Sequence, residues 1–393
     1  MKRINKRILW LVTGRFNVYL NDGATASMMA LFNELQKKGA ECLVENLADR
    51  NIKKSEWLRT IKKRAWGKKI QSSSDIINFR LRNIAVNLHL TKYDITKLYR
   101  QKNKGVFKKL ILDIAKLIEK NKPDIIFTSQ EDIFSLTAAS RAGIQHFHVF
   151  TSPTFKYGIT FSLYKKEFKN AMLNTRIITR DIFKKDIKRY WKKKAFILPP
   201  IIDPELYRVK NKNPEYITFI NYGYDKGAMI FINIARRLPD KRFLIIQSKN
   251  IFRSEPWLKN VTVMKTQLDM KKVYAVTKIL LVPSLWEEAG PRVVFEALLN
   301  GIPVIATNQE AHNLLSQASF LVDINKAAKK KSDYYYNPMY HIKTYLEFVK
   351  IINDLDNNAK LYQRTCRDAV RKSRKIINYQ EEAIEKFIDY IKN

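Results

Sequence analysis

An α/β protein built from two Rossmann-like halves is the fold this sequence predicts, and three observations carry the prediction. Short apolar runs alternate with amphipathic ones along nearly all of the 393 residues, the pattern of parallel strands joined by crossover helices. The alternation falls into two series. Between them lies a proline-rich segment, Leu198-Pro199-Pro200-Ile201-Ile202-Asp203-Pro204, the natural place for a boundary. The length suits about two domains.

In chain order, the first series offers strands at Ile8–Thr13, Asp124–Thr128, His146–Phe150, Arg176–Thr179 and Phe196–Leu198. Helical patterns fill Ala24–Lys38 and Val106–Lys120. The second series offers strands at Tyr216–Asn221, Phe243–Gln247, Val261–Met264, Ile279–Pro283, Pro303–Thr307 and Phe320–Val322. Helices are expected at Ala228–Leu238 and Arg292–Leu299, and from about Met339 the pattern is consecutive helices. The expected boundaries are 1–205 for the first domain, 206–365 for the second, and 366–393 for terminal helices. No apolar run approaches the roughly 18 residues of a membrane span. The N-terminus is basic and then apolar, yet the apolar part runs straight into Gly14, as a first buried strand would. Cys42 and Cys366 are isolated thiols, which fits a reducing cytoplasm and gives no metal cluster.

Residues 283–310, PSLWEEAGPRVVFEALLNGIPVIATNQE, concentrate the chemistry. A strand leads to a turn holding Glu288, then Gly290-Pro291, then a helix from Arg292 that carries Glu296 one turn in. Unpaired N–H groups and the dipole at a helix start favour a phosphate, and nearby carboxylates accept hydrogen bonds from sugar hydroxyls. A second turn, Asn221-Tyr222-Gly223-Tyr224-Asp225-Lys226-Gly227, stands between strand and helix at the edge where α/β sheets bind ligands.

Residues 283–310 resemble the Glu-x7-Glu motif of retaining GT-B glycosyltransferases of family 4, from the PSLWEE opening to the GIPVIA close. The similarity extends to RILWLVTG and DGATASMMALFNELQKKGAE, to NKPDIIFTSQED, to RIITRDIFKKDIKRYWKKKAFILPPIIDPELY and to YITFINYGYDKGAMIFINIARRLPDKRFLII. It implies a GT-B fold, with two Rossmann-like domains facing across a cleft and a C-terminal helix crossing back to the N-terminal domain. It implies transfer of a hexose or pentose from a nucleotide sugar, which acts as co-substrate, with no metal and no further cofactor.

Carried over by motif, Glu296 holds ribose hydroxyls and Glu288 the transferred sugar. Gly290 and the amides of Arg292 and Val293 face the diphosphate, with Lys226 as its cation. The family pairs that lysine with an arginine five residues earlier. This chain has Asn221 there, a neutral amide, and Arg292 is the expected compensation. Gly23 closes a loop that can approach the diphosphate. The family usually shows two adjacent glycines at that point, whereas this chain reads Asp22-Gly23-Ala24. Retaining relatives use front-face departure and attack. An inverting enzyme needs a carboxylate base, for which Asp22, Glu131 and Asp132 stand in suitable loops. Many relatives carry a histidine in the loop after the third strand, where this chain has Thr151-Ser152-Pro153. His146 and His148 are expected in the core or wall.

The net charge is +36. Residues 50–124 hold 21 basic and 6 acidic side chains, a net of +15, and residues 155–210 hold 15 and 5, a net of +10. A polyanionic partner is the expectation. Ser55–Ile70, as a helix, aligns Trp57, Leu58, Ile61 and Ala65 beside Arg59, Lys62, Lys63 and Arg64, which suits an anionic membrane surface. Such a chain would work in the cytoplasm, peripheral on the inner face of the membrane, on a lipid-linked or cell-envelope glycan. Lys97–Lys104 and Tyr190–Lys194 suit a nucleic-acid backbone nearly as well, and with it the modified bases of DNA as acceptor, as the alternative. A non-catalytic binding protein on the same fold is the third reading.

Overall fold

A computed structural model describes residues 3–14, 23–62, 70–152, 162–247, 258–265, 267, 269–286, 290–308, 317–324 and 341–392. The chain divides into two compact units, one of Met1–Ile202 with Glu382–Asn393 and one of Asp203–Glu381.

Among the described residues, the first unit holds a nine-stranded sheet. Its strands are β1 (Arg7–Thr13), β2 (Glu41–Ala48), β3 (Gln71–Ser72), β4 (Ile76–Leu81), β5 (Ile84–Leu90), β6 (Ile125–Ser129), β7 (Gln145–Phe150), β8 (Arg176–Thr179) and β9 (Ala195–Ile197). They lie in the order β3-β4-β5-β2-β1-β6-β7-β8-β9. From β5 to β9 all neighbours are parallel, and β3 and β4 add an antiparallel edge. The central strands are apolar on both faces because helices cover both. Gly23–Lys37 contributes Met29, Phe32 and Leu35 to the core, while Lys104–Asn121 contributes Leu110 and Ile114.

β2 and the β4–β5 hairpin are additions to the strands read from sequence. Polar residues inside them hide the apolar signal. Glu45 is buried, yet accepts hydrogen bonds from Asn87 and Asn121 at 2.9 Å each and pairs with His89. A satisfied buried carboxylate is tolerated in a strand that pattern reading rejects.

Among its described residues, the second unit holds six parallel strands: β10 (Tyr216–Ile220), β11 (Phe243–Gln247), β12 (Val261–Lys265), β13 (Thr277–Val282), β14 (Val304–Thr307) and β15 (Phe320–Val322). The spatial order is β12-β11-β10-β13-β14-β15. By order of appearance that is 3-2-1-4-5-6, the Rossmann arrangement, whose direction reverses between β10 and β13. The helices Ala228–Arg237 and Ile342–Asn357 pack on this sheet through Phe231, Ile234, Phe348 and Ile352.

The helix Ala359–Lys392 begins in the second unit and its last residues belong to the first. There Ala383, Ile384, Phe387, Ile388 and Ile391 join the first unit's core. No helix among the described residues is long and apolar enough to cross a membrane.

Candidate functional site

In the second unit the strand order reverses between β10 and β13, so the loops leaving their carboxyl ends diverge and leave room for a ligand. Those two loops are held together at their base. The Leu285 amide donates to the Asp225 carbonyl at 2.9 Å. Gly227 has φ +87° and lies against Pro283 with no space for a side chain. Thr307, at the end of β14, donates from its hydroxyl to the Ser284 carbonyl at 2.6 Å and fixes the same loop from the other side.

Asn221 is exposed and takes φ +64°, a left-handed conformation that asparagine adopts more readily than most residues. The Asn221 and Tyr222 amides both point to the Ile246 carbonyl, at 3.0 and 3.3 Å. Local backbone geometry thus gives a reason for an asparagine where the resemblance expects arginine. Lys226 is half-buried, and its amide closes a turn onto the Gly223 carbonyl at 3.0 Å. Gly227 then caps the helix Ala228–Arg237.

The helix Arg292–Leu299 starts where Gly290 (φ +131°) turns the chain and Pro291 sets the first φ at −67°. Val294, Phe295, Ala297 and Leu298 are buried, while Val293 is half-buried. Glu296 is 4% exposed. Its carboxylate accepts a hydrogen bond from the Tyr274 hydroxyl at 2.6 Å and stands 3.6 Å from the Arg292 guanidinium. Arg292 donates to the Tyr207 hydroxyl at 3.0 Å and lies over that ring, 5.8 Å from its centroid. The expectation that Arg292 replaces the cation absent at Asn221 therefore meets a guanidinium already engaged inside the unit.

Burial raises the pKa of Glu296, against the pull of Arg292 and the Tyr274 hydroxyl. The same burial, with Glu296 beside it, raises that of Tyr274 well above its ordinary value. Asn300 completes the cluster, donating to the carbonyls of Tyr207 at 3.0 Å and Glu296 at 2.8 Å. Sequence reading named neither tyrosine nor Asn300. Tyr207 is separated from Arg292 by 85 residues and Tyr274 from Glu296 by 22, distances no periodicity reports.

The first unit reverses direction between β1 and β6, and a second polar cluster sits at that carboxyl edge. Asp132 accepts from the Thr13 amide at 2.8 Å and the Ser135 amide at 3.0 Å, so it caps the helix Ile133–Arg141. Thr13 and Ser135 share a 2.7 Å hydroxyl contact. Burial pushes the Asp132 carboxyl up to about 6, with those donors working against it. Its acceptors are thus occupied by backbone, a structural task. Glu131 beside it is half-buried at the same edge, and Gly23 is exposed at the start of its helix. Glu288 and Asp22 lie outside the described residues.

His146 and His148 are 2% and 0% exposed on β7. Burial depresses both, His148 to about 4, so neither carries charge near neutrality. Among the described residues no cluster of three His, Cys, Asp or Glu side chains could hold a metal ion. In the basic region, the helix Lys54–Lys62 turns Trp57 and Ile61 into the first unit's core, at 3% and 1% exposure. Those side chains face protein, so the stripe read as a membrane contact is a packing face. Lys63 and the residues up to Lys69 lie outside the described residues.

Residues 215–332 match the family model described as Glycosyl transferases group 1. No curated protein matches the chain by sequence. Among solved structures, sucrose-phosphate synthase from Thermosynechococcus elongatus has a TM-score of 0.65 and 12% identity, covering 98% of this chain and 98% of the other. Anabaena HepE in complex with UDP-glucose gives 0.65 and 12%, over 97% and 99%. WaaG, a glycosyltransferase involved in lipopolysaccharide biosynthesis, gives 0.63 and 12%, over 98% and 99%. At such identities the likeness establishes the fold, which is that of the GT-B glycosyltransferases with two Rossmann-like domains.

Proposed function

We propose that the chain is a glycosyltransferase that takes its sugar from a nucleotide-sugar donor held in the second unit. One observation carries the reading: the segment matched to the glycosyltransferase family spans the β10–β13 reversal, with both the Lys226 turn and the Glu296 helix at its carboxyl edge. Lys226 and the amides that open the Arg292–Leu299 helix would meet the diphosphate, with no metal ion taking part. Glu296, oriented by Tyr274, would receive the ribose hydroxyls, and Glu288 the transferred sugar. The motif favours retention of configuration. The acceptor would be anionic, a lipid-linked or cell-envelope glycan at the inner membrane face, because the excess charge falls on the first unit. HepE with bound UDP-glucose and WaaG of lipopolysaccharide synthesis are structural neighbours that accord with this donor and acceptor class.

A thermal-shift panel of nucleotide sugars tests the donor. A ligand held 100-fold above its Kd stabilises the native state by about 2.7 kcal/mol, a shift of several degrees. No shift with any nucleotide sugar would refute the proposal. Turnover unaffected by EDTA, and an anomer retained by NMR, are the expected results for its finer parts.

A further inference from the structure

The first unit carries a surface that the donor site does not use. β7, β8 and β9 run parallel, with Phe147 opposite Arg176 and Ile177 opposite Ala195. The segments preceding β8 and β9 therefore emerge together at the amino edge of the sheet, opposite the edge that carries Gly14 and Glu131. The helix Lys165–Met172 ends there, packing Phe168, Ala171 and Met172 inward. The helix Lys184–Trp191 also ends there, with Ile187 buried. Lys193 ties the two together, donating to the carbonyls of Leu173 at 2.7 Å and Thr175 at 2.8 Å.

What these helix ends show to solvent is unusual. Leu173 is 70% exposed and Tyr190 50%; among the described residues of the unit the only other large apolar side chain so exposed is Leu112, at 61% on a different helix. Around them Arg176, Arg189, Lys192 and Lys194 are all exposed. Next to them a concavity of about 470 Å³ is lined by Asn174, Gln145, Arg176 and Lys392 among others, large enough for a phosphate-bearing headgroup. Apolar tips ringed by cations suit the interface of an anionic bilayer, where aliphatic and aromatic side chains enter the acyl boundary and lysines meet headgroup charge. A nucleic acid would match the charge and stack on Tyr190, yet would give the aliphatic Leu173 no apolar medium.

We propose that this amino-edge face, with Leu173 and Tyr190 as anchors, docks the protein onto an anionic lipid surface. The inference locates the membrane contact of the proposed function. Its test needs no sugar nucleotide, so a chain that floats without turnover would sink only the transferase reading. The full chain is floated with vesicles of phosphatidylcholine alone and with added phosphatidylglycerol, across a salt series. Binding is expected only with the anionic vesicles, weakening as salt rises. Lys192→Gln and Lys194→Gln should each lower partitioning roughly fivefold. Leu173→Ser, at a site with little packing to lose, should lower it at least about tenfold with the melting temperature unchanged, and adding Tyr190→Ser should lower it further. No flotation with anionic vesicles, flotation indifferent to these substitutions, or gel-shift binding of duplex DNA in its place would each overturn the proposal.

Discussion

Gly227 has a φ of +87°, and a Cβ added to it would lie 1.9 Å from the Pro283 carbonyl oxygen. Any side chain there must strain its own backbone and push β13's loop away from β10's. Gly227→Ala should therefore cost about 3 kcal/mol or more, from left-handed strain and overpacking together, read from a urea midpoint. Donor binding should fall with it, since the two loops forced apart are the one carrying Lys226 and the one leading to the helix Arg292–Leu299. Glu296 makes a sharper test. With the Tyr274 hydroxyl and Arg292 both directed at its carboxylate, Glu296→Gln should weaken nucleotide binding at least about tenfold, or 1.4 kcal/mol, by calorimetric titration. Unchanged affinity would remove Glu296 from the site. At this scale the sequence was partly legible. Resemblance alone makes Glu296 and Lys226 candidates, whereas Tyr207 and Tyr274 are ordinary tyrosines until folding brings them to Arg292 and Glu296.

Strand β7 shows what an element can add to its residues. Thr128 on β6 stands between its two histidines, 2.8 Å from His146 Nε2 and 2.7 Å from His148 Nδ1, while His148 Nε2 lies 2.9 Å from the Gln130 carbonyl. The chain closes with one proton on each imidazole: His148 donates to Gln130, Thr128 to His148, and His146 to Thr128. A second proton on His148 would leave the threonine hydroxyl facing a donor. With His148 held near 4 and an ordinary value near 6.5, the unfolded chain protonates first as pH falls. The histidine's contribution is then present above about pH 6.5 and lost towards pH 4, an amount of about 3 kcal/mol. Asp132, raised to about 6, acts in the opposite sense, because the folded state keeps its proton longer. The wild-type profile therefore combines slopes of opposite sign, with His146 on the side of His148 and Glu296 on that of Asp132, and a variant isolates one contribution. The destabilisation caused by His148→Gln should be largest at pH 7 and about 3 kcal/mol smaller at pH 4, by chemical denaturation at each pH. The same scale explains what pattern reading missed. β2 carries Glu45 and Asn46 in its interior: Asn87 on β5 and Asn121 of the helix Lys104–Asn121 satisfy Glu45, and Asn46 donates to the Val12 and Gly14 carbonyls at 3.1 and 3.2 Å.

For the whole molecule, the alternation of strands and helices made the α/β class and the two Rossmann-like series legible, because each half repeats a local pattern. The destination of the final helix was legible only through resemblance, since a helix's periodicity reports that it has an apolar face and not which core receives it. That core is the first unit's. Phe387 is fully buried there, with ring centroids 5.2 Å from Phe196, 6.1 Å from Phe147 and 6.2 Å from Phe127. Phe387→Ala should cost about 3–5 kcal/mol and lower the first unit's melting transition in calorimetry, although the substitution lies 185 residues beyond Ile202 in sequence.

The same helix sets an order of events during synthesis. Residues Met1–Ile202 leave the ribosome first, but the segment that finishes their core, from Glu382, follows about 180 residues later. At typical rates of translation that is a delay of roughly 10–40 s, far longer than a domain of this size needs to collapse. Through that interval one wall of the nine-stranded sheet, with Phe127, Phe147 and Phe196, waits uncovered. The unit made first is completed last, and its nascent form is the state in which chaperones and aggregation compete for this protein.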